Sequence, residues 1–232
     1  MSQGSTALVL TNGADGRQLH VRPQMVVLAG YTGRNRTAVQ RHIDELAAEG
    51  IAPPPHVPMQ YAGRPDLIQV GGSLPAGIGW CSGELEYVLL VADGTVYVGV
   101  GSDHTDREVE RTSVDASKIA FPKIVSGTVW PLTALLPTWD SLVLRSWVTD
   151  GQARRVYQEG PVATLMAPPD LLQLVAPGGA GEGLVVYSGT VPIVERAPAS
   201  GRCDFEGQLV RPSGEVLATC TYDYMAAPEV AP

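Results

Sequence analysis

Residues 83–108 read GELEYVLLVADGTVYVGVGSDHTDRE, and three carboxylates in this segment, Glu84, Glu86 and Asp103, are predicted to meet. Residues two apart on a β-strand point to the same face, so Glu84 and Glu86 project side by side if their segment is extended. The apolar runs 87–92 and 95–100 flank Asp93-Gly94, a strong signal for a two-residue hairpin turn. The return strand of that hairpin brings Asp103 back beside the two glutamates.

These three carboxylates predict a metal site. Carboxylates gathered at the end of an apolar hairpin repel one another and resist removal from water. A hard divalent cation relieves both costs, because Mg²⁺ and Mn²⁺ prefer oxygen ligands. We therefore expect Mg²⁺ or Mn²⁺ on Glu84, Glu86 and Asp103. The alternative is that the glutamates are exposed on an edge strand and that Asp103 forms a turn.

The composition suits one β-rich domain. The chain has 232 residues, of which 44% are hydrophobic, and this length can bury a full core. The high counts of Gly (26) and Pro (19) favour a turn-rich β protein over a helical bundle. We expect a single domain over 1–232. The family resemblance described below implies its parts: N-terminal strands and a lid helix in 1–60, a metal-binding β-roll in 61–225 and a tail at 226–232.

Charge and cysteine usage narrow the class of protein. The net charge is −8 and Lys/Arg runs are absent from the sequence, which argues against a nucleic-acid or anionic-membrane partner. Cys81, Cys203 and Cys220 are odd in number and lack CxxC spacing, so we expect thiols of a reduced compartment. The sequence shows neither a signal peptide nor an 18-residue apolar run, and a cytoplasmic protein is expected.

The main predicted helix covers Ala38 to Glu49. Thr37 with Gln40 three residues later matches a capping box, and Gly50 is a natural stop. A second, short helix is predicted for Asp170 to Val175. Apolar residues recur along the main helix at i, i+4 and i+7: Val39, Ile43 and Leu46.

Several segments resemble, in their order, the motifs of the fumarylacetoacetate hydrolase superfamily, from about residue 25 to 222. Gly83-Glu84-Leu85-Glu86 resembles its E-x-E strand, and Asp103-His104-Thr105-Asp106-Arg107-Glu108 its D-x-[TS]-x-R-[DE] segment. Residues 183–192 resemble its late strand, which runs into T-G-T-P. The resemblance implies an α+β fold that is mostly β: a mixed β-roll of the fumarylacetoacetase C-terminal-domain type with a short lid helix. It also implies a homodimer.

The resemblance further implies the remaining site residues. Lys118 lies where the family's catalytic lysine would be sought, and Lys123 competes with it, because the surrounding motif departs from the family pattern. Substrate-binding positions carried over from the resemblance are Arg107, Lys123, Ser188, Gly189 and Thr190.

A second constellation lies on the main predicted helix. His42 and Glu45 form an H-x-x-E pair, and residues at i and i+3 are neighbours on a helix. By resemblance to the family's lid helix, His42 would act as a general base and Glu45 would orient it. The alternative is an ordinary solvated pair on a helix surface.

Together these features predict a divalent-metal-dependent hydrolase or lyase. Its substrate would be a small 2-oxo acid or β-dicarbonyl compound, cleaved by C–C hydrolysis or decarboxylation through an enolate. Two alternatives stay open: an isomerase, hydratase or cyclase of a biosynthetic pathway on the same fold, and a non-catalytic scaffold that retains it.

Overall fold

The computed structural model describes residues 6–48, 50–151, 153–195 and 201–227. Strands dominate these ranges. In chain order they are β1 (Leu8–Asn12), β2 (Gln18–Val21), β3 (Met25–Gly30), β4 (Met59–Gly63), β5 (Ile68–Val70), β6 (Cys81–Ser82), β7 (Leu85–Ala92), β8 (Thr95–Ser102), β9 (Thr105–Asp106), β10 (Lys123–Val125), β11 (Thr128–Pro131), β12 (Val143–Thr149), β13 (Arg154–Pro161), β14 (Leu184–Tyr187), β15 (Gly201–Val210) and β16 (Val216–Ala226). The α-helices are α1 (Arg36–Ala48), α2 (Arg107–Thr112), α3 (Val114–Lys118), α4 (Leu132–Leu135) and α5 (Pro168–Val175), and 3₁₀ turns cover Pro65–Leu67, Leu136–Ser141 and Val162–Thr164.

Two sheets build the body of the protein. The larger has the order β2-β1-β11-β8-β7-β14-β3-β4, with β10 added beside β8 and β5 beside β10, and it curls into a half-barrel. The smaller has the order β13-β12-β15-β16, and β6 and β9 form a separate pair. The predicted α+β class, mostly β, is confirmed.

The β7–β8 hairpin forms the centre of the large sheet, as predicted from Asp93-Gly94. Its register pairs Leu85 with Ser102 and Ala92 with Thr95. All eight residues of β7 are buried, because the strand has neighbours on both sides and packed side chains on both faces. A strand covered on both faces reads as a continuous apolar run, as residues 87–92 do. The hairpin is therefore a rigid support for the carboxylates at its end.

Helix α1 begins two residues earlier than expected. It starts at Arg36, and the side chain of Asn35 accepts a hydrogen bond from Ala38 N at 3.1 Å. The prediction that Thr37 caps the helix was therefore wrong: Asn35 lies at the helix start and is at least as strong a cap. Val39 and Ile43 are buried, as the apolar spacing predicted. Glu49, the expected last residue, lies outside the described residues.

The short helix α5 includes the predicted segment, whereas α2 and α3 were not anticipated. Asp106 caps α2 by accepting hydrogen bonds from the N–H groups of Glu108 and Val109. Ser113 caps α3 by accepting one from Ala116 N. These two turns of helix follow β9 directly and carry the chain from Arg107 to Lys118 around the carboxylate cluster.

Candidate metal centre and cleft

Strand pairing brings the three predicted carboxylates together. Asp103 follows β8 and donates its backbone N–H to the carbonyl of Glu84, which precedes β7, at 3.0 Å. One carboxylate oxygen from each of Glu84, Glu86 and Asp103 lies within 4.8 Å of the other two. All three residues are buried, with 9%, 2% and 2% of their surfaces exposed. The alternative of exposed edge-strand glutamates therefore does not describe the structure.

Three cations surround these carboxylates. Lys118 Nζ lies 2.6 Å from Asp103 Oδ2 and 3.5 Å from Glu84 Oε2. Lys123 Nζ lies 2.5 Å from the other oxygen of Asp103. Both lysines that the sequence left as candidates therefore contact Asp103, and they are the only lysines in the chain. Lys118 lines a cleft, whereas Lys123 is 1% exposed and also donates to the carbonyl of His104 at 3.1 Å.

Arg107, predicted to bind substrate, lines the cleft and also holds protein carboxylates. Its guanidinium donates to Glu84 at 2.7 Å, to Glu110 at 2.6 Å and to the hydroxyl of Ser82 at 2.9 Å. The ring of Trp80 lies 5.9 Å from the guanidinium carbon. The geometry thus assigns Arg107 to orienting Glu84. Glu110 is the buried fourth carboxylate of the cluster. Its spacing of three residues from Arg107 made it one of two possible ion-pair partners in the sequence, beside Glu108.

The electrostatics separate Glu86 from its two neighbours. Burial raises the pKa of Glu86 well above its usual value, and the charges of Asp103 and Glu84 raise it further. Burial also acts on Asp103, but Lys118 and Lys123 outweigh it and lower the pKa of that carboxyl to about 2. Within the part of the chain that the structure describes, Glu86 forms no ion pair with a cation. It is the carboxylate that gains most from an added cation.

The Ser188-Gly189-Thr190 segment lies against Glu86, because β14 pairs with β7. Gly189 N donates to Glu86 Oε2 at 2.7 Å. The other two predicted substrate contacts are occupied within the protein: the buried Ser188 hydroxyl donates to the carbonyl of Gly189 at 2.8 Å, and Thr190 Oγ1 to the carbonyl of Leu85 at 2.9 Å. Only Gly189 and Thr190 of the three line the cleft.

Gln158, which was not among the site residues predicted from the sequence, positions the strand that carries the glutamates. Its Oε1 accepts a hydrogen bond from Leu85 N at 2.9 Å, between the two glutamates. Its Nε2 donates to Thr190 Oγ1 at 2.7 Å and to the carbonyl of Val191 at 2.6 Å. One buried amide therefore fixes β7 relative to the segment after β14. In the sequence, the feature that could have indicated this role is the position of Gln158 in the β12–β13 hairpin, just before Glu159-Gly160.

A cleft of about 1060 Å³ opens onto the carboxylates. Glu84, Glu86 and Lys118 form part of its floor, and α1 forms part of its wall. The aromatic rings of Tyr31, Tyr61 and Trp80 also line it. Cavities of this size suit small organic ligands.

His42 and Glu45 both line this cleft from α1. Their side chains are 60% and 62% exposed, and His42 Nδ1 lies 3.8 Å from Glu45 Oε2. Glu45 also lies 3.6 Å from the guanidinium of Arg41. In this conformation the pair is solvated, and the Tyr31 ring, 6.4 Å from that of His42, is its aromatic neighbour.

His104 faces away from the carboxylates, because side chains alternate along an extended segment. Its Nδ1 lies 3.0 Å from the hydroxyl of Tyr222, and its ring packs against Phe121 and Tyr224. Burial and the charge of Lys123 lower the pKa of His104 to about 3, which keeps the ring neutral. It belongs to the core below the site.

The donor set fits a hard divalent cation. All three acidic side chains offer carboxylate oxygens within one small region, and ions that prefer such oxygens are Mg²⁺, Mn²⁺ and Ca²⁺. A bound cation would favour the ionised form of Glu86, whose pKa is raised by burial and which no described cation pairs. The structure therefore contains a Glu-Glu-Asp group suited to binding a metal.

Solved structures with the same fold include three informative examples. The yeast protein ynq8, a fumarylacetoacetate hydrolase family protein, has a TM-score of 0.60 and 14% identity over 90% of this chain and 97% of that one. The 5-carboxymethyl-2-hydroxymuconate delta-isomerase of Mycobacterium smegmatis has a TM-score of 0.59 and 16% identity over 94% and 82%. Cg1458, solved with an inhibitor, has a TM-score of 0.67 and 13% identity over 94% and 81%. The predicted resemblance is thus confirmed in the fold.

A comparison with curated proteins found no match. Among the described residues, every helix is too short or too polar to cross a membrane. A comparison with protein families matches residues 29–222 to the family described as Protein of unknown function (DUF2848). Because this match covers most of the chain, including every carboxylate of the cluster, the protein belongs to the DUF2848 family and shares the fold of the fumarylacetoacetate hydrolase family proteins.

Proposed function

We propose that this protein is a divalent-metal-dependent enzyme that acts on a small 2-oxo acid or β-dicarbonyl compound. The observation that carries the proposal is the buried group of Glu84, Glu86 and Asp103, of which Glu84 and Glu86 line the floor of a cleft. A scaffold protein would gain nothing from burying three carboxylates that repel one another beside an open cavity. The names of the structural neighbours, which include an isomerase of a hydroxymuconate, agree with chemistry on compounds of this class.

Glu84, Glu86 and Asp103 would hold the ion, which we propose is Mg²⁺ or Mn²⁺. When bound, the ion would act as a Lewis acid toward substrate oxygens on which negative charge develops. The chain's own residues do the rest. Arg107 fixes the orientation of Glu84, Gly189 N–H fixes that of Glu86, and Lys123 supports Asp103 from below.

Lys118 and α1 would complete the reaction site. Lys118 lines the cleft and brings a positive charge to an anionic substrate. His42, on the wall of the same cleft, would move a proton once α1 closes over the substrate and excludes water, with Glu45 orienting its ring. C–C hydrolysis or decarboxylation is the proposed outcome, carried out by a cytoplasmic homodimer.

One observation favours a second candidate, an isomerase. His42 and Glu45 are more than half exposed and 3.8 Å apart, so the described conformation does not hold a poised general base. An enolisation that needs only the metal and Lys118 would not require the pair. The isomerase activity named for one structural neighbour is chemistry of this kind.

A direct assay tests the proposal. Purified protein is incubated with oxaloacetate and with acylpyruvates, with Mg²⁺ or with EDTA, and the loss of enol absorbance is followed. Turnover that requires the ion, and that Glu86→Gln abolishes, supports the proposal. Turnover unaffected by EDTA would contradict it. Product analysis then separates hydrolysis, decarboxylation and isomerisation.

A further inference from the structure

The two lysines of the chain hold the same carboxylate. Lys118 and Lys123 lie 2.6 Å and 2.5 Å from the two oxygens of Asp103. A chain of 232 residues that places its only two lysines on one buried aspartate uses them for that site, not for the surface. The two ammonium groups differ in their surroundings, because Lys118 lines the cleft and Lys123 is buried.

The oxygens that Lys118 contacts are also those available to a metal. Lys118 approaches Asp103 Oδ2 and Glu84 Oε2, and the second oxygen of each carboxylate is held by Lys123 or Arg107. A divalent ion on all three carboxylates would therefore come within repulsive distance of the Lys118 ammonium. At the effective dielectric constants of partly buried sites, the repulsion between two like charges about 4 Å apart amounts to several kcal/mol.

Lys118 and Arg107 both line the cleft, but the ammonium of Lys118 forms one described hydrogen bond, whereas the guanidinium of Arg107 forms three. Lys123 is 1% exposed and begins strand β10, which pairs with β5 and β8. Arg107 is fixed by hydrogen bonds to Ser82, Glu84 and Glu110. Lys118 ends a single turn of helix, lines the cleft, and has the Tyr61 ring 5.9 Å from its Nζ.

The charge balance favours exchange over addition. Among the residues that the structure describes, four buried carboxylates, Glu84, Glu86, Asp103 and Glu110, face three cations, Arg107, Lys118 and Lys123. A dication added to this set would leave an excess of one positive charge. A dication that replaces Lys118 leaves four negative and four positive charges, which is the cheaper arrangement in a buried site.

We propose that Lys118 is a displaceable ammonium: a divalent ion takes its place on Asp103 and Glu84, and the freed side chain turns into the cleft toward an anionic ligand. This inference rests on the proposed metal site and adds that metal and substrate anion bind cooperatively. An anion that holds Lys118 in the cleft removes the competitor for the carboxylates, and by reciprocity the metal strengthens binding of the anion.

The first test compares metal affinities by calorimetry on the full chain, with Mn²⁺ as the probe. Lys118→Met keeps the length of the side chain and removes the ammonium, so the dissociation constant for Mn²⁺ should fall by on the order of tenfold or more. Arg111→Met removes another cation that lines the cleft but pairs with Glu108, so it controls for the general loss of positive charge. It should change the constant by much less.

The second test watches Lys118 in the unaltered protein. An amine-acylating reagent has only Lys118, Lys123 and the chain's N-terminus to modify, so mass spectrometry resolves each site. Saturating Mg²⁺ should speed the modification of Lys118 several-fold, and oxalate added with Mg²⁺ should then slow it by holding the ammonium. Lys123 should stay unmodified because it is buried.

The outcomes separate this inference from the proposed function. If Mn²⁺ binds the wild type and Lys118→Met with equal affinity, or if Mg²⁺ leaves the modification of Lys118 unchanged, the displacement is refuted and the metal site stands. If neither protein binds Mn²⁺, both are refuted. Binding by Lys118→Met alone would show that the ammonium competes strongly enough to exclude the ion.

Discussion

Gly189 N–H donates a hydrogen bond of 2.7 Å to Glu86 Oε2, which connects the segment after β14 to the carboxylate that no described cation pairs. Gly189 has φ +87°, in the left-handed region, and a Cβ at this position would lie 2.4 Å from Thr32 Oγ1. Both the backbone conformation and the close approach require glycine here.

Gly189→Ala should therefore destabilise the protein and weaken the metal site. We expect a loss of about 2–4 kcal/mol in the free energy of unfolding, from left-handed strain and overpacking together. Gly214 has φ +88° and open space around its Cβ position, so Gly214→Ala isolates the strain at about 1 kcal/mol. Urea unfolding in EDTA and Mn²⁺ calorimetry measure the two effects. Equal losses for both variants would mean that contact with Thr32 is unimportant.

The carboxylates should respond differently to substitution, because their partners differ. Asp103→Ala leaves the ammonium groups of Lys118 and Lys123 buried without their carboxylate, which should cost about 3–5 kcal/mol with or without metal. Glu86→Gln removes a carboxylate that no described cation pairs and keeps an oxygen for Gly189 N–H. It should abolish the metal-induced rise in melting temperature at little cost to the metal-free protein.

The stability of Glu86→Gln relative to the wild type should depend on pH. The folded state raises the pKa of Glu86 through burial, so ionisation of this carboxyl costs stability as the pH rises above its unfolded value of about 4.3. In EDTA, the variant should gain stability over the wild type as the pH rises from 5 to 8. Thermal unfolding across that range measures it. A variant that loses stability relative to the wild type over this range would show that the charge is favourably solvated.

His104 should contribute to acid unfolding. Burial and the charge of Lys123 lower the pKa of His104 in the folded state to about 3, from its usual value of 6.5. The buried neutral ring therefore contributes stability at pH values above 6.5, and this contribution is lost as the pH falls toward 3. His104→Phe keeps a ring against Phe121 and Tyr224 and should flatten the dependence by at most about 1.4 kcal/mol per pH unit. His56→Gln, at an exposed position, is the control. Identical slopes for all three proteins would contradict the buried neutral ring.

The sequence was sufficient for the carboxylate cluster because local signals produce it. Asp93-Gly94 sets the hairpin register, and that register alone places Asp103 opposite Glu84. The helices α2 and α3 escaped detection because each is too short to show apolar periodicity, although their caps, Asp106 and Ser113, were visible as residue types.

The cation arrangement was less predictable, since it depends on long-range pairing. Lys123 reaches Asp103 through the pairing of β10 with β8, and Lys118 reaches it from the end of α3. The positions of Lys118 and Lys123 in the sequence do not indicate which of the two lies near the carboxylates. Arg107 offered Glu108 and Glu110 as local partners, and only the fold shows that it also holds Glu84. The positions of charged side chains relative to one another required the three-dimensional structure.

Residues 31–60, which include α1, should close over the cleft when ligand binds. Several residues between Tyr31 and Leu46, together with Ile51, line the cleft, while His42 and Glu45 remain largely exposed. Oxalate with Mg²⁺ should slow hydrogen exchange in this segment, because closure buries the exposed face of α1. The helix Pro168–Val175 serves as an internal reference. Equal exchange with and without ligand would leave α1 as an ordinary packed helix.

Substitution of His42 distinguishes the two candidate reactions. If His42 moves the proton in C–C hydrolysis, His42→Ala should lower kcat by about 10²–10⁴-fold. Glu45→Gln should cost less, because Glu45 only orients the ring and Arg41 shares its charge. An exposed histidine elsewhere, His20, provides the control substitution with alanine.

The pH profile adds a readout that a purely structural role would not change. Loss of a general base should remove the ascending limb of the kcat profile, whereas damage to packing of α1 should lower kcat equally at every pH. If His42→Ala keeps full turnover of acylpyruvates, proton transfer passes to Lys118 or to solvent, and the enolising isomerase becomes the better account. If the variant loses hydrolysis but still exchanges the substrate's enolisable proton with D₂O, His42 acts after enolisation, at the step that brings water to the carbonyl carbon.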